Sequence, residues 1–404
     1  MSFDVERARR RFPALHQGWI LMDNAGGSAV LDSVIERMSE YMRTTPIQTG
    51  ASYGLSQQAV TRLEQAAAET ATLINAAGPG EIVFGPSSSA LLSRLARAIA
   101  SQLAPGDEII ISQADHESNI TPWVRLAERG ITIRTWPVDA AAGRLDQGAL
   151  DGLLNARTRL VCMGHTSNIF GAVEPVAEVA RRVHAAGARL VVDGVAWAPH
   201  RLVDVQACNA DFYVFSAYKV FGPHLGVLYG KADELLQLDN LNLDFLGKDA
   251  VPYKLQPGGY SYEAAYGFGA VLDYLLAHAP FGDTVRNRLA AAWPVLSAHE
   301  SRLTAKLLDY LHSRPEITIH GPRDATVESR LPIVSFSTAG RDSSEIVKAV
   351  DAANIGIRYG DFHARRLIEH LGLMPQNGVV RVSMAHYNTL EEVDRLIAAL
   401  DAVL

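Results

Sequence analysis

Apolar residues follow two rhythms along this chain. Through the first two thirds, short runs such as EIIIS (108–112), RLVCMG (159–164), RLVVDG (189–194), DFYVFS (211–216) and GVLYG (226–230) are apolar at nearly every position. Strands of that kind are covered on both faces. Longer segments with helical spacing lie between them. In EPVAEVARRVHAAGA, Val176, Val179, Ala180 and Val183 share one face, and Gly187 offers a C-terminal stop. This alternation predicts an α/β fold built on a mainly parallel sheet covered by helices. From about Phe281 the rhythm changes. It predicts a long helix over roughly 295–312, a strand in PIVSFST, a helix opened by Asp342 with Glu345 behind it, and a strand in GIRYG. A last helix opens with a capping box of Thr389 and Glu392. The expected organisation is a large domain over 21–280, a smaller α+β domain over 281–404, and an N-terminal segment, 1–20, packing with the smaller domain.

Composition narrows the function classes. Of the 404 residues, 48% are apolar and 20% charged, as in ordinary globular proteins. A net charge of −7 gives no reason to expect a nucleic-acid partner. The two cysteines, Cys162 and Cys208, are too few for a disulfide framework and suit a reducing cytosol. The chain has no apolar run of membrane-spanning length, and its opening, MSFDVERARRRFPAL, has no signal-peptide core. A cytoplasmic protein without a membrane partner is expected. GxGxxG, GxxxxGK[ST], GxSxG and HExxH are all missing, so dinucleotide, P-loop, serine-hydrolase and zincin readings lack local support. Asp115, His116 and Glu117 are adjacent, and neighbours in sequence rarely converge on one ion. No metal is expected.

The chemistry lies at strand ends, where open α/β sheets bind their ligands. Asp193, His116, Asn168 and Lys219 each follow one of the predicted strands. Taken singly, Asp193 before glycine is an ordinary turn residue, Asn168 likewise, and a lysine leaving a strand is usually a solvated charge. Lys219, however, sits in FSAYKVFGPHLG, a stretch that reads as buried, and burying an unpaired lysine is costly. An aspartate closing one strand and a Ser-x-x-Lys closing the next suit pyridoxal phosphate (PLP). That cofactor needs an amine of depressed pKa for its aldehyde and a carboxylate for its pyridine nitrogen. GPSSSALLSRLARAIA, from Gly85, adds a hydroxyl-rich turn opening a helix, a candidate phosphate cradle.

At this density of motifs the chain resembles the class V aminotransferase family of fold-type I PLP enzymes, in its cysteine-desulfurase-like branch. The resemblance runs from LMDNAGGSAV through DEIIISQADHESNITPW, GHTSNIFGAVEPV and VDGVAWAPHRLVDVQACNADFYVFSAYKVFGPHLGVLYG to VVRVSMAHYNTLEEVDRL. It implies that Lys219 holds PLP and shuttles the Cα proton, that Asp193 pairs with the pyridine nitrogen, and that His116 stacks on the ring and assists proton transfer. Asn168 would bond the ring hydroxyl. Ser88, Ser89 and Ser216 would contact the phosphate, and Arg381 would grip the substrate carboxylate in a bidentate fork. Asn24 and Ala25 would line the substrate side.

The chain also departs from the family. Sulfur-delivering relatives carry a cysteine on a small-domain loop; here that region reads IRYGDFHARRL, with His363 near the position. Neither Cys162 nor Cys208 is placed to replace it, so a persulfide mechanism is not expected. The usual glutamine three residues after the aspartate is Ala196, and the histidine before the lysine is Tyr218, whose hydroxyl can still reach the phosphate. Where a hydroxyl residue would reach a partner's phosphate, Gly259 leaves only a backbone N–H.

The resemblance therefore implies an amino-acid enzyme, homodimeric with active sites at the interface, to which residues 258–262 would contribute. Three outcomes stay open after loss of the Cα proton: β-elimination by C–S or C–Se cleavage, which the nearest branch favours, transamination, and racemisation. A non-catalytic PLP-binding regulator is a further alternative, against which the complete set of Lys219, His116 and Arg381 speaks. Substrate identity is expected to rest on Tyr53, Trp123, Tyr359, Asp361, Phe362 and His363.

Overall fold

The computed structural model describes residues 3–404. Seven strands form its main sheet: β1 (Ile82–Gly85), β2 (Glu108–Ser112), β3 (Thr132–Trp136), β4 (Thr158–Gly164), β5 (Arg189–Asp193), β6 (Phe212–Ser216) and β7 (Gly226–Gly230). Their order is β1-β7-β6-β5-β4-β2-β3. Strands β2 to β6 run parallel to one another, while β7 is antiparallel to both β1 and β6. Successive side chains leave a strand on opposite faces. Along β5, Leu190 and Val192 accordingly join one buried cluster while Val191 joins the other. Helices cover both faces, which is why these strands read as continuous apolar runs. The helix expected in EPVAEVARRVHAAGA spans Val176–Ala185, with Val176, Val179, Ala180 and Val183 buried and Gly187 at φ +76° beyond its end.

A second sheet has the order β8-β9-β11-β10, from β8 (Ile317–His320), β9 (Ile333–Thr338), β10 (Arg358–Gly360) and β11 (Val379–Ser383). Val334, Phe336, Val380 and Val382 pack on Leu303, Leu307, Leu396 and Leu400 of two helices to form its core. The final helix, Leu390–Asp401, opens with the expected capping box of Thr389 and Glu392. One expectation needs correcting. The long helix runs Val285–His312, with Pro294 inside it, instead of starting after the proline. Thr284 caps its true start by accepting the Asn287 N–H, and burial of Leu289, Ala292 and Trp293 carries the helix through the proline.

The N-terminal segment lies between the two sheets. Phe12 packs on both Phe221 and Tyr387, and Ile20–Leu21 pairs in parallel with Ile355–Gly356. Ser383 N–H then donates to the carbonyl of Met22, which delivers Asp23 to the gap between the sheets. Across that gap the fully buried Glu300 accepts from His200 at 3.0 Å and from Arg201 at 3.2 Å. Among the described residues, no helix is long and apolar enough to cross a membrane.

Candidate active site

Parallel strands point their carboxyl ends one way, so the residues that follow β1, β2, β4, β5 and β6 meet in one cleft. Ser88, Ser89, Asp115, His116, Asn168, Asp193, Ala196, Tyr218 and Lys219 line it. Two glycines make room for the arrangement. A Cβ on Gly194 would fall within 2.1 Å of the Tyr213 ring, so the chain can turn directly after Asp193 only without one. A Cβ on Gly226 would fall 2.3 Å from the carbonyl carbon of Ser87, where β7 passes under the start of the Ser88–Ile99 helix.

Lys219 ends the single helical turn Ala217–Lys219 after β6 and is buried. Burial and the neighbouring Arg381 lower its amine to about 8, against the opposing pull of Asp193 and Asp23. Asp193 accepts the Val195 N–H at 2.9 Å. Burial raises its carboxyl to about 6, with that hydrogen bond and Lys219 resisting. His116 Nδ1 accepts the Ser118 N–H at 3.0 Å, so the proton of its neutral ring lies on Nε2. Burial, followed by Lys219, His363 and Arg381, lowers it to about 4.

The anion-binding side is also assembled. Ser88 and Ser216 hydroxyls are 2.8 Å apart, while Ser87 caps the helix by accepting the Ala90 N–H. Tyr218 lines the same wall and stacks on His224 at 4.7 Å. The Asn168 side-chain amide donates to the carbonyl of Phe362 at 3.0 Å, and the main-chain carbonyl of Asn168 accepts from Arg381 at 3.2 Å. Asn168 Oδ1 and Thr166 Oγ1 are buried without a hydrogen-bond partner. A buried orphan acceptor calls for a missing partner. Residue by residue the cleft fits PLP: Lys219 for its aldehyde, Asp193 for the ring nitrogen, His116 beside the ring, Asn168 Oδ1 for the ring hydroxyl, and the three serines with the helix start for the phosphate.

Arg381 reaches the cleft from β11. Its guanidinium lies 3.7 Å from the centre of the Phe362 ring, Nη2 is 3.1 Å from Asp23, and Nε has no partner. Burial lowers its pKa to about 10. His363 is exposed, its ring 5.1 Å from that of His116.

Other expected residues lie elsewhere. Trp123 is wholly buried, its indole directed at Asn119, and is removed from the set that could meet a substrate. Tyr359 pairs with Val380 at the edge of the small sheet, where it is exposed, whereas Arg358 pairs with Arg381. Asn24 is buried among Ser383, Asn388 and Tyr387, and Ala25 N–H donates to the Ser383 hydroxyl; both clamp the second sheet to the N-terminal strand. Tyr53 and Gly259 are exposed.

Three residues in or beside the cleft were not singled out in these roles. Asp23, inside the quoted LMDNAGGSAV, bridges Arg381 and Arg358. Arg358 adjoins the expected Tyr359, and only the strand's alternation would have selected it. Asp115, considered above only as a metal ligand, is buried and accepts from Asn119 at 2.6 Å and from Gly164 N–H at 2.8 Å. Burial and Asp193 raise it to about 7.

Known proteins resemble this chain in sequence and in fold. The family model for Aminotransferase class-V matches residues 20–396. The chain is 41% identical to the "Aminotransferase-like protein FGM3" of Gibberella zeae, over 100% of this chain and 99% of that protein. It is 33% identical to a cysteine desulfurase of Pectobacterium carotovorum, over 100% and 98%. The crystal structure of the cysteine desulfurase CsdA from Escherichia coli superimposes with a TM-score of 0.85 at 28% identity, covering 100% of this chain and 98% of that one. With a lysine, an aspartate and a serine-lined helix start meeting at the strand ends, and with matches spanning the chain, this protein belongs to the class-V aminotransferase family and is a PLP-dependent enzyme of the cysteine-desulfurase-like type.

Proposed function

We propose that this enzyme removes the Cα proton of a small α-amino acid and expels a substituent from Cβ, breaking a C–S or C–Se bond without a persulfide on the protein. The observation that carries the reading is Lys219, a buried amine at the floor of the cleft with its pKa drawn down to about 8. Bound PLP supplies an electron sink that acidifies the Cα–H bond. Lys219 Nζ holds the cofactor and receives the Cα proton. Arg381 grips the carboxylate and so fixes which bond at Cα faces the lysine. His116, neutral because burial keeps it so, lies beside the ring and keeps water from it. Asp193 keeps its charge opposite the ring nitrogen.

The absence of a persulfide rests on where the thiols are. Cys162 is fully buried within β4, and burial pushes the thiol of Cys208 up to about 12. Neither lines the cleft. A thiol of that kind is not a nucleophile at neutral pH. Transamination is the second reading, favoured by the likeness to a protein called aminotransferase-like. The two readings part on product analysis. Pyruvate and sulfide from L-cysteine with no amino-group acceptor supports elimination, and strict dependence on a keto acid overturns it.

We also read the chain as a homodimer. Gly258 and Gly259 form an exposed turn, and Ile35, Met42, Tyr53 and Leu55 expose apolar surface at and before two helices, which a second copy would cover. Residues 21–280 serve as the cofactor-binding domain and 281–404 as the domain that brings Arg381 and His363, with 1–20 between them. The free Cys162 and Cys208 fit a cytoplasmic location. A fully active monomer in gel filtration would contradict the dimer.

A further inference from the structure

Between Asp361 and Ala364 the chain adopts a costly backbone. Phe362 and His363 are consecutive residues in the left-handed region, at φ 50° and 58°. Such conformations cost on the order of 1–3 kcal/mol each in general and persist only where their surroundings enforce them. The large sheet does so here. Asn168 donates to the carbonyl of Phe362 at 3.0 Å, Glu117 N–H donates to the carbonyl of His363 at 2.7 Å, and Arg366 pairs with Glu117 at 2.9 Å. Asp361 closes the turn from within by accepting the His363 N–H at 2.9 Å. These contacts hold the imidazole of His363 against that of His116.

The two imidazoles are not equivalent. His116 is committed at Nδ1 to Ser118 and is held neutral by burial, so it is a poor proton source. His363 is exposed, so it can give a proton and regain one from water. The charged and titratable groups around this pair are Glu117, Lys219, Arg381, Asp361 and Arg366.

We propose that His363 is the acid–base residue for the substrate side chain, handing a proton to the group that leaves Cβ while Lys219 Nζ takes the proton from Cα. This role rests on the elimination proposed above. The Cα–H electron pair becomes the second Cα–Cβ bond as the Cβ–X bond breaks. X departs with its pair and receives the proton of His363; the proton that Lys219 took from Cα passes on to water, and His363 takes one back from water. The released aminoacrylate takes up water to give pyruvate and ammonia. No oxidant or reductant is consumed.

The test compares two probes on the holoenzyme. L-Cysteine has a leaving group helped by protonation; β-chloro-L-alanine loses chloride, which needs none. A general acid contributes about 10²-fold or more. In His363→Gln the ratio of the cysteine rate to the chloroalanine rate should therefore fall by about 10²-fold. Equal losses on both probes, or none on either, overturn the role of His363 and leave elimination standing. A wild-type enzyme that makes pyruvate from neither probe overturns elimination itself, and this role with it. A readout without turnover comes from the cofactor-free protein, where NMR should show the His116 ring titrating at higher pH in His363→Gln. An unmoved titration overturns the pairing of the two rings.

Discussion

Arg381 and Asp23 form an ion pair, 3.1 Å from Nη2 to Oδ1, and the other oxygen of the same aspartate is 2.9 Å from Arg358. Because Nε of Arg381 is free, a substrate carboxylate that takes Nε and Nη2 together displaces Asp23 from one arginine and leaves it on the other. On the proposed reading, in which Arg381 takes the substrate carboxylate, Asp23 fills that place until substrate arrives. Asp23→Asn should bind amino acids more tightly and be less stable without them. Breaking a buried pair costs about 3–5 kcal/mol. The Asp23 side chain keeps 22% of its exposure, so about 2 kcal/mol is expected. In urea denaturation of the holoprotein, L-alanine should then stabilise the variant more than the wild type. Equal stabilisation would remove Asp23 from the carboxylate site.

Only the neutral amine of Lys219 can attack an aldehyde. With its pKa lowered to about 8, uptake of PLP by the cofactor-free protein should accelerate as pH rises and level off near that value. Asp193 raises this pKa, since its negative charge favours the protonated amine. Removing it in Asp193→Asn should move the plateau to lower pH, while weakening the affinity for PLP. Stopped-flow absorbance across pH measures both. Lys219→Ala should retain no cofactor after borohydride treatment and dialysis.

How far the cleft could be read from sequence depends on the distance from a residue to the element that positions it. Lys219, Asp193, His116 and Asn168 follow strands whose apolar runs are unmistakable, and a parallel sheet brings such ends together whatever the strand order. Arg358 and Asp23 are different. Their place depends on the register of β10 against β11 and on a two-residue strand, Ile20–Leu21, that borrows its partner from Ile355–Gly356. A shift of one residue turns a strand's side chains to the other face. That parity puts Arg358 on the face of Arg381, within reach of Asp23, and Tyr359 on the opposite face. Trp123 was expected to help decide substrate identity, but its short helical turn directs it into the core. The early start of the Val285–His312 helix was hidden by Pro294, a residue that ordinarily ends a helix.

Ser88 should matter for the cofactor and not for the fold. The hydroxyl that caps its helix belongs to Ser87, so Ser88→Ala removes a donor from the cradle without removing the cap. Hydrogen bonds to charged groups contribute about 1.5–3 kcal/mol, so the PLP dissociation constant should rise roughly 10- to 100-fold. Fluorescence titration measures it, and inorganic phosphate should compete less well with PLP in the variant. Ser87→Ala is the contrasting case, with about 1 kcal/mol lost from folding.

Phe362 combines a favourable contact with an unfavourable backbone, and two substitutions separate them. The ring lies over the Arg381 guanidinium at 3.7 Å, a cation–π contact of about 1–2 kcal/mol in a partly desolvated setting. The backbone, at φ 50°, favours glycine. Phe362→Ala loses the ring and keeps the strain; Phe362→Gly loses the ring and relieves the strain. The glycine variant should therefore be the more stable of the two by about 1 kcal/mol, the reverse of the order in ordinary helix or strand positions. In both, water reaches the face of Arg381 and the grip on a carboxylate weakens, so KM for L-cysteine should rise by a similar factor. If alanine is the more stable variant, the turn is not strained in solution, and the enforced geometry that holds His363 against His116 is lost with it.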